Sequence, residues 1–319
     1  MYEDIHNIEK KYTISDFPLN IALEPCNYCN LNCIMCAHNK LTRSKGEMDI
    51  RLYKKIIDEI ATENPYTRLW LDFYGEPLLV KFKLFYMIDY AKRKGLKNVS
   101  FNTNATCLSE EMTEMLLDSG VDFISIDCDG YSKKVYESVR VGANRDTVYK
   151  NIEHFLKRKS EIGIDKPILE VKIMDMKENK NEVEQVVDYW RQRGAWTCVR
   201  RLISWGGAAE NVHIDVDSNR VACGNAVGIL PITWDGIAVN CVMDVDAKYP
   251  SGDVNRESIK EIWLRRNRYL VEKHMSHQWN ELPKICHGCN DWMIVGEQRF
   301  DELGNVVDKN YDLGKKMME

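Results

Sequence analysis

The sequence predicts an α/β fold: a partial (β/α)6 barrel of TIM type with a small C-terminal domain appended. Three observations carry this. Between residues 19 and 204, strand-like apolar runs and amphipathic helical stretches alternate about six times, which argues a parallel sheet. The residues suited to chemistry fall where those strands end, as in barrels that carry their sites on that face. After about residue 205 the texture changes to a hairpin, one amphipathic helix and paired cysteines. A doubly wound sheet is the alternative, but cysteines stand where its glycine-rich fingerprint would follow the first strand.

The elements follow in order. Residues 1–18 form an N-terminal extension, and "LNIALEP" (19–25) is a short apolar strand. Asp49 can cap a helix over 50–62, whose Leu52, Ile56, Ile57 and Ile60 make one apolar stripe. "RLWLDFY" (68–74) is a strand, and a helix over 82–94 closes at Gly95. "NVSFNTN" (98–104) is the next strand, and a helix from Ser109 closes at Gly120 ahead of "VDFISID". A helix over 145–160 precedes "PILEVKIM" (167–174), and one over 180–192 stops at Gly194 before "WTCVRRLI" (196–203). Glycine just past a helix end accepts the left-handed cap geometry. Beyond, "ILPITWDGIAVNCVMD" (229–244) reads as a hairpin turned on Asp235-Gly236, and 258–275 as a helix capped by Ser258. The boundaries are therefore 1–18, 19–204 and 205–319.

Composition narrows the class. A chain of 319 residues with 44% hydrophobic and 29% charged residues is that of a folded protein. No run of eighteen apolar residues suggests a membrane span, and the charged N-terminus lacks the apolar core of a signal peptide. A net charge of −5 offers no global basic field for nucleic acid. The chain is expected in the cytoplasm. Its 11 cysteines then need a reason other than disulfides, and metal or cluster ligation is the better one.

"CNLNCIMC" (29–36) sets Cys29, Cys33 and Cys36 on one short loop. Zinc usually takes ligand pairs from separate segments. Three thiolates on one loop instead suit a [4Fe–4S] cubane, holding three irons and leaving the fourth open to a small ligand with an amine and a carboxylate. Cys26 does not fit the spacing and is read as a bystander. Cys107 and Cys128 are read as packed thiols and His38 as a loop cap.

The loop resembles the CxxxCxxC signature of the radical S-adenosylmethionine (SAM) enzymes. "YGEP" (Tyr74, Gly75, Glu76, Pro77) resembles their second motif, whose carbonyls hold the SAM amino group. "FNTNA" (101–105) and "SIDCDG" (125–130) sit where that family touches SAM from its third and fourth strands, implying Asn102, Asn104, Ser125 and Asp127. Lys172 and Arg200, on the fifth and sixth strands, could meet the SAM carboxylate. Met35 stands where the family usually places an aromatic residue. The resemblance implies that the cluster reduces SAM to methionine and a 5′-deoxyadenosyl radical, which takes hydrogen from an unactivated C–H. It also implies an electron donor such as flavodoxin or ferredoxin.

"TWDGIAVNC", "GDVNRESIKEIW" and "CHGCNDW" resemble the SPASM or shorter twitch domain, which holds auxiliary [4Fe–4S] clusters. This chain has cysteines for one such cluster, and five candidates for it: Cys198, Cys223, Cys241, Cys286 and Cys289. Spacing favours Cys223 as the first ligand. The chain also resembles the radical SAM peptide epimerases of epipeptide biosynthesis in bacilli. That resemblance makes Cys223 a catalytic hydrogen donor and leaves Cys198, Cys241, Cys286 and Cys289 for the cluster. The implied substrate is a ribosomally made precursor peptide, inverted from L to D at Cα. A dehydrogenase or thioether-forming maturase is the alternative, and a zinc-binding interaction module the non-enzyme one. Glu210 and Asp215 in "WGGAAENVHID" (205–215) are candidate contacts for a peptide backbone.

Overall fold

The computed structural model describes residue 12, residues 14–207 and residues 220–294. Glu210, Asp215, most of the N-terminal extension and the C-terminal tail lie outside the described residues.

Each of the first five parallel strands is followed by helix, as the alternation requires. β1 (Asn20–Leu23) leads through the cysteine loop to α1 (Ile50–Glu63), and β2 (Arg68–Trp70) to α2 (Phe82–Arg93). β3 (Asn98–Thr103) precedes α3 (Glu110–Asp118). β4 (Phe123–Asp127) is followed by two helices, α4 (Lys133–Val139) and α5 (Arg145–Ile162). β5 (Ile168–Asp175), α6 (Val183–Arg191) and β6 (Trp196–Arg201) complete the six units. Local chemistry sets the ends. Asp49 Oδ1 accepts from Arg51 N at 2.8 Å, Ser109 and Ser132 cap α3 and α4 the same way, and Gly163 closes α5 at φ 69°. Helix α4 was not anticipated: seven residues with two buried side chains leave little periodic signal.

The sheet order is β6-β5-β4-β3-β2-β1-β7-β8-β9. Strands 1–6 lie in sequence order and pair in parallel, with no switch point, which is barrel winding rather than double winding. Among the described residues β6 pairs only with β5, so the barrel is open. Ile21, Leu69, Val99, Phe101, Ile124, Val171 and the helix side chains Ile56, Ile60, Ile88 and Trp190 share one core, all of them 0–1% exposed.

The hairpin of β7 (Ile229–Ile232) and β8 (Ile237–Val239) turns on Asp235-Gly236 as expected, with Gly236 at φ 93°. Its other edge is the surprise. β7 pairs in parallel with β1 from Asn20↔Ile229 to Leu23↔Ile232, so the C-terminal domain continues the barrel sheet. β8 then pairs with β9 (Pro250–Asp253). The helix expected over 258–275 is two helices, α8 (Ile259–Arg266) and α9 (Glu272–Met275), joined by a π-helical turn over Asn267–Val271. Ser258 and Glu261 form the capping box at its start. No helix among the described residues is long and apolar enough to cross a membrane.

Candidate active site and auxiliary thiol pocket

The C-terminal ends of the parallel strands open on a cavity of about 230 Å³. Its wall is the cysteine loop, with Cys29, Cys33 and Cys36 all facing it. Backbone bonds from Asn32 N to Val141 O (2.9 Å) and Ile34 N to Val139 O (3.1 Å) pin the loop to the end of α4. Asn104 Nδ2 donates to Asn30 Oδ1 (3.0 Å) and to Cys29 Sγ (3.8 Å), and Arg140 Nη1 to Cys33 Sγ (3.7 Å). Burial pushes the Cys29 thiol up to about 11 and Cys36 to about 12; it raises Cys33 too, against the pull of Arg140. Bound iron reverses that preference, since a ligating thiol is deprotonated.

Tyr74, Gly75, Glu76, Asn102, Asn104, Asp127, Lys172 and Arg200 all line this cavity. Glu76 organises rather than reacts. Its carboxylate accepts from Leu78 N (3.0 Å), Thr103 Oγ1 (2.6 Å) and Asn104 N (2.8 Å), tying "GEP" to the end of β3. Gly75 is required there: a Cβ would lie 2.1 Å from Cys26 O. Cys26 itself is buried in the core, as a bystander, with its thiol donating to Glu76 O at 3.5 Å. Burial alone would raise the Asp127 carboxyl, but Lys172 at 3.0 Å and Arg140 hold it below its ordinary value. Trp205 covers the cavity, its Nε1 donating to Met35 O (2.6 Å) and its ring 5.6 Å from Tyr74.

Two expected contacts lie elsewhere. Ser125 points into the barrel and donates to Glu170 Oε1 at 2.9 Å, and Pro77 opens a buried 3-10 turn; neither lines the cavity. Asp72 was missed. It lines the cavity, accepts from Asn102 Nδ2 at 2.5 Å and is pushed up to about 8 by burial, with Asp127 adding to the rise. One acid two residues before a recognised motif gives no sequence signal of its own.

A second pocket lies beyond Trp205, across the turn of residues 204–207. Cys223, Cys241, Cys286 and Cys289 line it together. The expected grouping of Cys198 with the last three is not what the fold forms. Cys198 is fully buried on β6, in register with Lys172, and does not line the pocket. Side chains two apart on a strand share a face, so Cys198 lies on the face of β6 that carries Arg200, inside the barrel, while Cys223, at the N-terminus of the short helix α7 (Gly224–Gly228), lines the pocket with the other three. Burial raises all four pocket thiols. Among the described residues no three His, Cys, Asp or Glu side chains converge as ligands of one metal ion; the thiols stand around a space, as cluster ligands do.

Sequence reasoning also missed His274. It lines the same pocket at 1% exposure, and neither ring nitrogen has a hydrogen-bond partner. Burial, with Arg220 and Arg266 nearby, lowers it to about 3, so the ring stays neutral. Arg266 is fully buried and donates to Ala226 O (2.7 Å) and Asn240 O (2.8 Å), the backbone that carries Cys223 and Cys241.

With this geometry in hand, the comparisons with known proteins are unambiguous at the level of class. The family model described as "Radical SAM superfamily" matches residues 23–197, and the chain belongs to that family. A second, "Iron-sulfur cluster-binding domain" (SPASM), matches residues 223–290, from Cys223 through Cys289. The cofactors are therefore SAM and [4Fe–4S] clusters, an auxiliary one among them. One relative is the "Tungsten-containing aldehyde ferredoxin oxidoreductase cofactor-modifying protein" of Pyrococcus furiosus, 28% identical over 171 residues. That alignment covers 53% of this chain and 47% of the relative, so the chain spans about half of that protein's length. The "S-adenosyl-L-methionine-dependent 2-deoxy-scyllo-inosamine dehydrogenase" of Niallia circulans is 22% identical over 88% of this chain and 96% of its own. Among solved structures, Streptococcus suis SuiB bound to precursor peptide SuiA superposes with TM-score 0.65 at 15% identity, covering 80% of this chain and 66% of that one.

Proposed function

We propose that this chain is a radical SAM peptide epimerase that inverts L-residues to D in a ribosomally made precursor peptide. The observation that carries the reading is a surplus of donors. Four thiols and an unpartnered imidazole line the auxiliary pocket, five groups for a cluster with four irons. One thiol can therefore stay protonated as a hydrogen donor. Cys223 is that thiol: it stands on the pocket next to the barrel mouth, separated from it by the turn that carries Trp205 and Gly206. A likeness in fold to a protein solved with its precursor peptide supports the substrate class.

With SAM and its cluster bound, the site supplies a 5′-deoxyadenosyl radical that can take a Cα hydrogen. Cys29, Cys33 and Cys36 hold that cluster. The "GEP" turn, Asn104 and the cations Lys172 and Arg200 seat SAM, while Trp205 excludes water above it. Cys223 then delivers its S–H hydrogen to the opposite face of the flattened Cα. The thiyl left on Cys223 returns to the thiol by taking one electron from a donor of the flavodoxin or ferredoxin class and one proton from solvent.

The four-thiol pocket favours one other reading. If Cys223 is a ligand, the auxiliary cluster is fully thiolate-bound and suited to accept an electron, as in a dehydrogenase; the Niallia circulans relative bears that name. Cys223→Ala decides. As an epimerase, the variant keeps its full iron and cleaves SAM but forms no D-residue, and the parent enzyme in deuterated water places one deuterium at Cα. Loss of auxiliary iron from Cys223→Ala, or product lighter by two hydrogens, overturns the epimerase reading.

A further inference from the structure

We propose that His274 is the fourth protein ligand of the auxiliary cluster, binding through a ring nitrogen beside Cys241, Cys286 and Cys289. The inference rests on the reading that keeps Cys223 as a free thiol, and it says what takes the iron Cys223 leaves.

The argument begins with an energetic oddity. His274 lies in α9 at 1% exposure with both ring nitrogens unpartnered. A buried polar group without a hydrogen bond costs about 1–3 kcal/mol, and natural interiors rarely keep one without a reason. Nothing in the packing needs a nitrogen there. The ring meets Trp279 edge-on at 5.9 Å, a contact phenylalanine would make as well, and His277 stacks on the same indole at 4.9 Å. The indole thus fixes the imidazole where it lines the thiol pocket.

The surroundings select the ligand form. Arg220 lines the pocket and donates to Cys286 O at 2.9 Å, and Arg266 stands behind Ala226 and Asn240. Two cations beside an imidazole oppose its protonation, and a neutral imidazole is the form that binds metal. The same cations offset the negative charge of thiolates and cluster. A carboxylate would serve less well, because it would add to that charge; among the described residues none lines the pocket.

The test uses protein reconstituted with iron and sulfide and reads the cluster, not turnover. Cys29, Cys33 and Cys36 are first replaced by alanine, so that only the auxiliary cluster remains. Pulsed electron paramagnetic resonance on the reduced cluster, with ¹⁵N-labelled histidine, should show a directly bound nitrogen that His274→Ala abolishes along with part of the iron. His274→Cys should restore the iron and move the reduction potential to more negative values, since thiolate is the more anionic ligand. Absence of nitrogen coupling in the protein with its natural His274 sinks the proposal without any variant having to fold. If Cys223→Ala meanwhile keeps its auxiliary iron, the epimerase reading stands and only the ligand assignment falls. If Cys223→Ala loses that iron, both fall together.

Discussion

At the scale of single residues, the site is held by atoms that have no room to change. Gly75 is the sharpest case: the backbone of the cysteine loop passes so close that a methyl group would meet Cys26 O at 2.1 Å. Gly75→Ala should cost about 1–3 kcal/mol, as overpacked cores do, and should abolish measurable SAM binding by equilibrium dialysis. Asp72 makes a pH-dependent prediction. Its carboxyl sits at about 8 in the fold because burial disfavours the charge, against an ordinary value of 3.8. The folded protein thus prefers it protonated, so its contribution is full below the ordinary value and is lost as pH rises toward 8. Urea unfolding of the cluster-free protein should show stability falling between pH 5 and pH 8, by on the order of 1 kcal/mol, with a flatter profile for Asp72→Asn. An unchanged slope would remove Asp72 as its source. What was legible here followed motif spacing. Cys29, Cys33, Cys36, Glu76 and Asn104 are close in sequence to the ends of strands, so their convergence needs little beyond the strands themselves. Ser125 shares the face of β4 with Asp127 but sits two residues deeper in the barrel, so the motif indicated the face and not the depth; His274 had no signal, because nothing in a lone histidine tells that both its nitrogens will be left without partners.

At the scale of elements, the six strands and most helices follow from apolar periodicity and caps, and the sequence placed them within a few residues. The partner of β1 did not follow. Its pairing with β7 joins residues some two hundred positions apart, and a hairpin pattern specifies only its internal turn. The chemistry that fastens this seam is Glu24, at the end of β1. It is fully buried, bonds Arg43 through both oxygens at 2.5 and 2.6 Å, and accepts from Trp234 N at 3.0 Å. Glu24→Gln strands Arg43, itself only slightly exposed, without a counter-charge. Breaking one side of a buried pair costs about 3–5 kcal/mol. The variant should melt well below the parent in calorimetry and lose iron from the first cluster sooner than from the auxiliary one, because Arg43 anchors the segment that follows Cys36. Equal loss from both clusters would instead mark a general loss of fold.

At the scale of the whole molecule, the two pockets share a wall, and the wall is held from the far end of the chain. Asp291, in the "CHGCNDW" segment, accepts from Ser204 N (2.6 Å), Gly206 N (2.7 Å) and Ser204 Oγ (3.1 Å). Between those residues sits Trp205, at φ 53°, covering the SAM cavity and bonded to Met35 O in the cysteine loop. Two residues before Asp291 is Cys289, a wall of the auxiliary pocket. Tyr74 adds a second tie, its hydroxyl donating to Val242 O beside Cys241 at 3.0 Å, and Asp246 a third, accepting from Thr42 N at 2.6 Å. The segment that carries Cys289 is therefore bonded directly to the turn that covers the SAM cavity. Asp291→Asn keeps the size and one acceptor oxygen but turns an NH2 donor toward the other backbone N–H, Ser204 N or Gly206 N, which is left unsatisfied at about 1–3 kcal/mol. SAM titrated calorimetrically into reconstituted Asp291→Asn should bind at least tenfold more weakly than into the parent, although no atom of Asp291 lines the SAM cavity. Undiminished affinity would show that Trp205 holds its place without the auxiliary domain, and that the shared sheet, not the shared wall, is all that couples the two halves.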